Sequence, residues 1–530
     1  MNNTKSLRQH ALNAANALQS RKKELLLCIF AVYFWGILAH AYGFLHSSLS
    51  HDGLNAFIAT VGEESWKIEL GRFFVPLYRA VFRGPVSLPW LNGMLGLLWT
   101  SLALFLFVRI FDLRSTALTV VAAGILTTNI TNIAQIATYV YEFDFNAFSL
   151  LLSLLSVYLW HRDKGIASIL AGALCLMVSI GIYQAYFAVT VTLIVWKSIL
   201  DLIDGKDLKE VFLHGLRGIS SIALGGILYF LAGKLVCGIT GIDMQRRADA
   251  LNMNGQNPIL VYLRLVIPAM LYLARSILHP AYRSLGFIAI VGSACVLAVV
   301  CMILLFRQKQ FQASRVALIL ALTAVLPFAM TSVYFLAKGE EVHDLTKTAI
   351  WFFYLFIVML AFRPNEACMQ PCRLTRIFRA VACIMAGVIL WQNLVLANTA
   401  YVKKEMESNA ALSTMTRVVS MMDRQENYQE GSTKIAFIGV AAAEEPLYGM
   451  ERVTSITGLH NHAVIPLDSS NHYYNAYKAY FTYVLQQPVL FCSDEEHAQL
   501  KKDPRVQSLP AFPQDGCMEI IDGILVIKMG

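Results

Sequence analysis

Leu25-Leu26-Leu27-Cys28-Ile29-Phe30-Ala31-Val32-Tyr33-Phe34-Trp35-Gly36-Ile37-Leu38-Ala39-His40-Ala41-Tyr42-Gly43-Phe44-Leu45 holds no charged residue, and His51-Asp52-Gly53-Leu54-Asn55 follows a few positions on. An apolar block of about 20 residues is the length that spans a hydrocarbon core roughly 30 Å thick. Similar blocks recur near 89–108, 115–137, 145–160, 166–182, 185–203, 219–238, 286–306, 315–337, 349–362 and 380–398. The pattern predicts an α-helical polytopic membrane protein with about eleven transmembrane helices. Composition agrees: 57% of the 530 residues are hydrophobic and 15% charged, too few charges to cover a soluble protein of this length.

Basic residues set the orientation. Lys5, Arg8, Arg21, Lys22 and Lys23 precede the first block, and no small-residue cleavage site follows it, so the first helix is read as retained. With the N-terminus cytoplasmic, the basic clusters at 109–114, 161–164, 206–217, 307–315 and 363–379 all fall on the cytoplasmic side. Loops 46–88 and 239–285 are then external, and the C-terminus is periplasmic. The net charge of +8 is therefore a topology signal and does not point to nucleic acid.

The chain divides into a transmembrane domain, 1–400, and a small periplasmic α/β domain, 401–530. The second carries strand-like runs at Lys434-Ile435-Ala436-Phe437-Ile438-Gly439-Val440, Pro488-Val489-Leu490-Phe491-Cys492 and Ile524-Leu525-Val526-Ile527. Helical character surrounds Tyr473 and Ala498. Cys492 and Cys517 are the only cysteines of this domain, and an oxidising compartment would permit them to pair. Cys368 and Cys372 lie in a basic loop too poor in ligands for zinc.

Charges are scarce near the helix centres, which disfavours an ion relay across the bilayer. Polar residues collect at the predicted outer ends. Asp52 is placed to take a proton from an attacking hydroxyl, or else to cap a short helix starting at Gly53. Glu63, Glu64 and Arg72 share the same external loop, where apolar residues at helical spacing from Phe57 to Leu77 suggest helices lying in the interface. A solvated face accounts for Glu63 and Glu64. Arg72, Arg79, Arg83, Arg246, Arg247, Arg264, Arg275 and Arg283 run against the positive-inside bias, and guanidinium forks bind phosphate bidentately; lipid headgroups are the alternative partner. Tyr139-Val140-Tyr141-Glu142-Phe143-Asp144, read as a short loop, and Tyr183-Gln184-Ala185-Tyr186 bring aromatic rings and carboxylates suited to sugars.

Asp52-Gly53, Gly71-Arg72-Phe73, the Glu142/Asp144 pair and Ser179-Ile180-Gly181-Ile182-Tyr183-Gln184-Ala185 together resemble the Gtr-type glucosyltransferases that modify O-antigen in serotype conversion. The likeness spans roughly the first 380 residues. It implies a GT-C-like enzyme of the bacterial inner membrane that takes glucose from undecaprenyl-phosphate-glucose and passes it to lipid-linked O-antigen in the periplasm. On that resemblance Asp52 is the catalytic base. Glu63, Glu64, Arg72, Tyr141, Glu142, Asp144, Tyr183, Gln184, Arg246 and Arg247 are substrate-binding candidates. The resemblance implies no cofactor, although Glu142 and Asp144 leave room for a divalent cation. A flippase for a lipid-linked sugar and an O-antigen polymerase or ligase are the competing readings.

Overall fold

The computed structural model describes residues 2–46, 50–162, 165–244, 257–282, 284–308, 312–339, 342–363, 373–439, 450–459 and 472–530. Arg246, Arg247, Arg283, Cys368 and Cys372 lie outside the described residues. The architecture is helical with a small C-terminal sheet. Its first ten helices are α1 (Asn2–Leu45), α2 (His51–Asn55), α3 (Val61–Glu69), α4 (Val75–Phe82), α5 (Pro89–Phe111), α6 (Thr116–Thr128), α7 (Ile130–Arg162), α8 (Ile166–Ile182), α9 (Phe187–Ile203) and α10 (Leu208–Thr240). Among the described residues nine helices are long and apolar enough to cross a membrane, and Thr116–Thr128, Ile166–Ile182 and Thr348–Phe362 are shorter apolar helices. The chain is a multi-pass membrane protein.

Helix α7 is the axis of the bundle and packs against α5, α8 and α9. Small residues let the helices approach, as expected where dispersion and interhelical hydrogen bonds replace the hydrophobic effect. A Cβ on Gly96 would lie 2.4 Å from the Phe143 ring, and one on Gly93 2.6 Å from the Phe44 ring. Ser149 donates to the Ser179 carbonyl at 2.8 Å, and Trp351 Nε1 donates to Thr131 Oγ1 at 2.9 Å.

Three expectations about helices change. The block at 115–137 is two helices, because Asn129 leaves helical backbone at ψ 161. The Asn129 side chain donates to the Leu126 carbonyl at 2.8 Å and accepts from the Asn132 amide at 3.1 Å, closing one helix and opening the next. Residues 139–144 are not a loop. They continue α7 past a kink at Tyr139 (φ −127, ψ 42). The stretch 239–285 holds a 20-residue helix, Pro258–Ile277. Ile259, Leu263, Ile267 and Leu271 form an exposed apolar ridge along it, at the four-residue spacing of a single helix face.

The C-terminal sheet has the order β2-β1-β4-β3, with β1 (Lys434–Ile438), β2 (Leu490–Phe491), β3 (Met518–Ile521) and β4 (Ile524–Lys528). β1 runs parallel to β2 and β4, and β3 is antiparallel to β4. Strand β3 escaped the sequence reading, although Asp522-Gly523, both at positive φ, is the usual two-residue hairpin signature. Cys492 and Cys517 are buried free thiols, so the pairing left open above is absent. The boundary at 400 falls inside one continuous helix, Arg373–Met422. Its last turns, with Ala411, Met415, Val418 and Met422, belong to the core of the C-terminal domain.

Residues 450–459 of the C-terminal stretch, whose Val453 and Ile456 lie in the bundle core, form a second tie to it. The buried Asp344 carboxylate accepts from the amide (2.7 Å) and hydroxyl (2.9 Å) of Thr457, and from His279 Nε2 at 3.1 Å. Lys347 Nζ lies 2.7 Å from its other oxygen. Burial raises the Asp344 carboxyl, but the His279 hydrogen bond and the Lys347 cation outweigh it and hold the group well below the usual range. On acidification the unfolded chain takes this proton first, so the carboxylate's contribution is complete above about pH 4 and drains away below it. Thermal unfolding of solubilised protein is expected to move to lower temperature as the pH falls below about 4, and Asp344→Asn to flatten that dependence.

Candidate active site

The segment 50–88 folds back against α7. Ser50, not Asp52, caps α2: its hydroxyl accepts from the Gly53 amide at 3.1 Å and donates to the Thr138 carbonyl at 2.9 Å. Asp52 therefore sits in the first turn of α2 with its carboxylate uncommitted to capping. It is half-buried and meets the Tyr139 phenol, with Tyr141 and Glu142 in the same electrostatic neighbourhood. The kink at Tyr139 turns this residue toward α2 and leaves Glu142 one turn further along α7.

Glu142 is the hub of a buried ion network. Lys67 on α3 pairs with it, and Arg72 Nη1 lies 3.3 Å from its second oxygen. Lys67 is also 3.2 Å from Glu63, which Arg79 on α4 grips through both guanidinium Nη atoms. Burial raises the Glu63 carboxyl, but the Arg79 hydrogen bond and the Lys67 cation hold it below the usual carboxylate range. Glu63 thus departs from the solvated face predicted for it. Glu64, half-buried beside it, takes no part in the described ion pairs.

The network sets three cations, Lys67, Arg72 and Arg79, against two carboxylates, Glu63 and Glu142. Its open member is Arg72, 20% exposed where Arg79 is 3%. Arg72 stacks over the Tyr183 ring at 4.8 Å, and its Nε has no hydrogen-bond partner among the described residues. Held by a carboxylate and an aromatic face and still partly exposed, Arg72 presents a cation at the edge of the network.

The family-like motifs meet here. Gln184 Nε2 donates to the Leu70 carbonyl at 2.8 Å, and Tyr229 donates to the Gly71 carbonyl at 3.1 Å. Gly71 has φ +74, and a Cβ there would lie 2.3 Å from the Tyr229 hydroxyl. Only glycine fits this turn, which is what directs Arg72 toward Glu142 and Tyr183. Phe74 N donates to the Gly181 carbonyl at 3.0 Å, tying the same turn to α8.

Asp144 is a correction. It is 0% exposed and ion-paired with Arg83 at 2.8 Å. Arg83 also donates to the carbonyls of Tyr141 and Val86 at 2.7 and 2.9 Å. Two residues apart on a helix, Glu142 and Asp144 project to different sides, and cations occupy both. Glu142 faces Lys67 and Arg72, and Asp144 faces Arg83. Asp144 is instead the buried post that fastens the end of α4 to α7.

Sequence reasoning missed Lys67, and it read Tyr139 only as one ring of an aromatic loop. Lys67 stands four residues after Glu63 on α3, a spacing that signals an ion pair but not its burial. Tyr139 matters because of the kink, which has no glycine or proline to announce it.

A bundle of apolar helices with a buried ion network beside the kink of its central helix defines a multi-pass membrane protein with a polar cluster set into the bundle. A family model of the glucosyl transferase GtrII matches residues 41–364, and the chain belongs to that family. Asp52, Gly71, Arg72, Glu142, Tyr183 and Gln184 all lie inside the matched span. The family is one of glucosyltransferases in O-antigen modification. No curated protein and no solved structure is similar enough to match.

Proposed function

We propose that the protein transfers glucose from undecaprenyl-phosphate-glucose to lipid-linked O-antigen, or a related surface glycan, on the periplasmic face of the bacterial inner membrane. The observation that carries this reading is the partly exposed Arg72 guanidinium, fixed by Glu142 and Tyr183, with Glu142 and Asp52 both acting on the Tyr141 ring of the central helix.

In this reading Asp52 removes the proton of an acceptor hydroxyl as its oxygen attacks the anomeric carbon of the donor. The bond from that carbon to the phosphate oxygen breaks, and the polyprenyl phosphate leaves with the electron pair. Arg72 meets the charge that develops on the leaving phosphate. Attack opposite the leaving group inverts the anomeric centre. Glu142 and Lys67 hold Arg72 in place, and Tyr141 and Tyr183 offer ring faces to the sugar. A donor anchored by its lipid explains why the site lies on a membrane bundle. Arg246 and Arg247 remain candidates for the same phosphate on the basis of sequence.

Mass analysis of surface polysaccharide from cells with and without the protein tests the reaction. A gain of one hexose per repeat unit is expected. Unchanged glycan mass would favour a flippase, and altered chain length without a hexose increment a polymerase or ligase.

A further inference from the structure

Helix α2, which carries Asp52, is held in an unusual way. The chain on either side of it is tied to the bundle: Ser50 bonds the Thr138 carbonyl, and Ser87 N donates to the Phe57 carbonyl at 2.8 Å. Between those ties, α2 packs against the C-terminal helix His472–Tyr480. Leu54 is 0% exposed and lies in the core of the C-terminal domain with Ala476, Tyr477, Tyr480, Met415 and Val418. The Phe57 and Tyr483 rings meet at a tilt, their centroids 5.4 Å apart. One helical face thus presents Leu54 to the C-terminal domain, two residues from a carboxylate presented to Tyr139.

The second tie reaches Tyr183 through a chain of hydrogen bonds. Thr457 clamps Asp344, and the next residue, Leu345, offers its carbonyl to Gln135 Nε2 at 2.9 Å and to the Tyr183 hydroxyl at 3.3 Å. Tyr183 is the ring under Arg72. The C-terminal segment therefore holds the element bearing Asp52 on one side and the element buttressing Tyr183 on the other.

We infer that the C-terminal domain is a working part of the transferase, and that Leu54 is a positioning residue whose burial in that domain sets the reach of Asp52 toward the acceptor hydroxyl. This rests on Asp52 being the base. A five-residue helix has too few backbone hydrogen bonds to hold its own orientation, so its register must come from packing. A shift of about 1 Å in a catalytic group can cost on the order of 100-fold in rate.

The test uses full-length protein in membranes, with undecaprenyl-phosphate-glucose and acceptor lipid. Leu54→Ala is expected to lower kcat by about tenfold or more, with the donor KM within about twofold of wild type, since Arg72 is untouched. Leu54→Met, which refills the volume, is expected to restore most of kcat. Tyr483→Ala, which removes only a half-buried ring contact, is expected to move kcat in the same direction by less. Should Leu54→Ala fail to accumulate, Tyr483→Ala with wild-type kcat would overturn the inference. So would a Leu54→Ala protein that inserts normally and turns over at the wild-type rate. If Asp52→Asn is inactive while both packing variants are normal, the base stands and the positioning role falls. If Asp52→Asn remains active, the base falls and the positioning role with it.

Discussion

Asp52→Asn is expected to abolish hexose transfer, lowering kcat by on the order of 100- to 10,000-fold, the usual contribution of a general base. The amide is nearly the same size and can still accept from the Tyr139 phenol, so α2 keeps its place. What it lacks is the basic oxygen that takes the acceptor proton. Because Ser50 supplies the helix cap, the substitution removes no capping interaction and leaves insertion and donor binding intact. The measurement is the rate of labelled hexose transfer in membranes, normalised to protein. Full activity in the variant would remove the mechanism.

The second large effect is expected at Arg72. Arg72→Met removes the open guanidinium but leaves Glu142 paired with Lys67, so no buried charge is stranded. Transfer is expected to fall by on the order of 100- to 1,000-fold, as when one transition-state donor is deleted from a preorganised site. Arg72→Lys should fall between Met and wild type: it keeps a cation but loses the planar fork and the stack on Tyr183. If Met and Lys variants both transfer hexose at the wild-type rate, Arg72 does not bind the leaving phosphate. A substitution at Arg83 is a useful contrast. It would strand the wholly buried Asp144, so its effect should appear as loss of folded protein and not as a selective change in kcat.

The membrane class was legible from the linear sequence because hydrophobic transfer is local: about 20 apolar residues specify a span whatever packs around them. The parallel strands β1 and β4 announced themselves as short apolar runs for the same reason. Asp52-Gly53 and Gly71-Arg72-Phe73 were legible through the family resemblance that they carry. The ion network was not legible. Glu63 and Glu64 read as a solvated helical face, and only the docking of α3 onto α7 brings Glu63 and Lys67 to Glu142 and excludes water. Asp144 illustrates the converse. It carries the same chemistry as Glu142 two positions away, yet the side of α7 from which it projects commits it to Arg83.

Chain composition and spacing by themselves determined that this is a polytopic membrane protein, that its polar residues gather in the segment after the first helix, and that Asp52 and Arg72 are the residues to examine. Only the tertiary structure decided which carboxylates are paired, that the 139–144 stretch is a kinked helix, and that Leu54 is buried in a domain more than 350 positions away in the sequence. The physical reason is one of range. Burial of a long apolar run and backbone strain act within a few residues, whereas the pairing of buried charges depends on which surfaces meet, and that depends on contacts no short window contains.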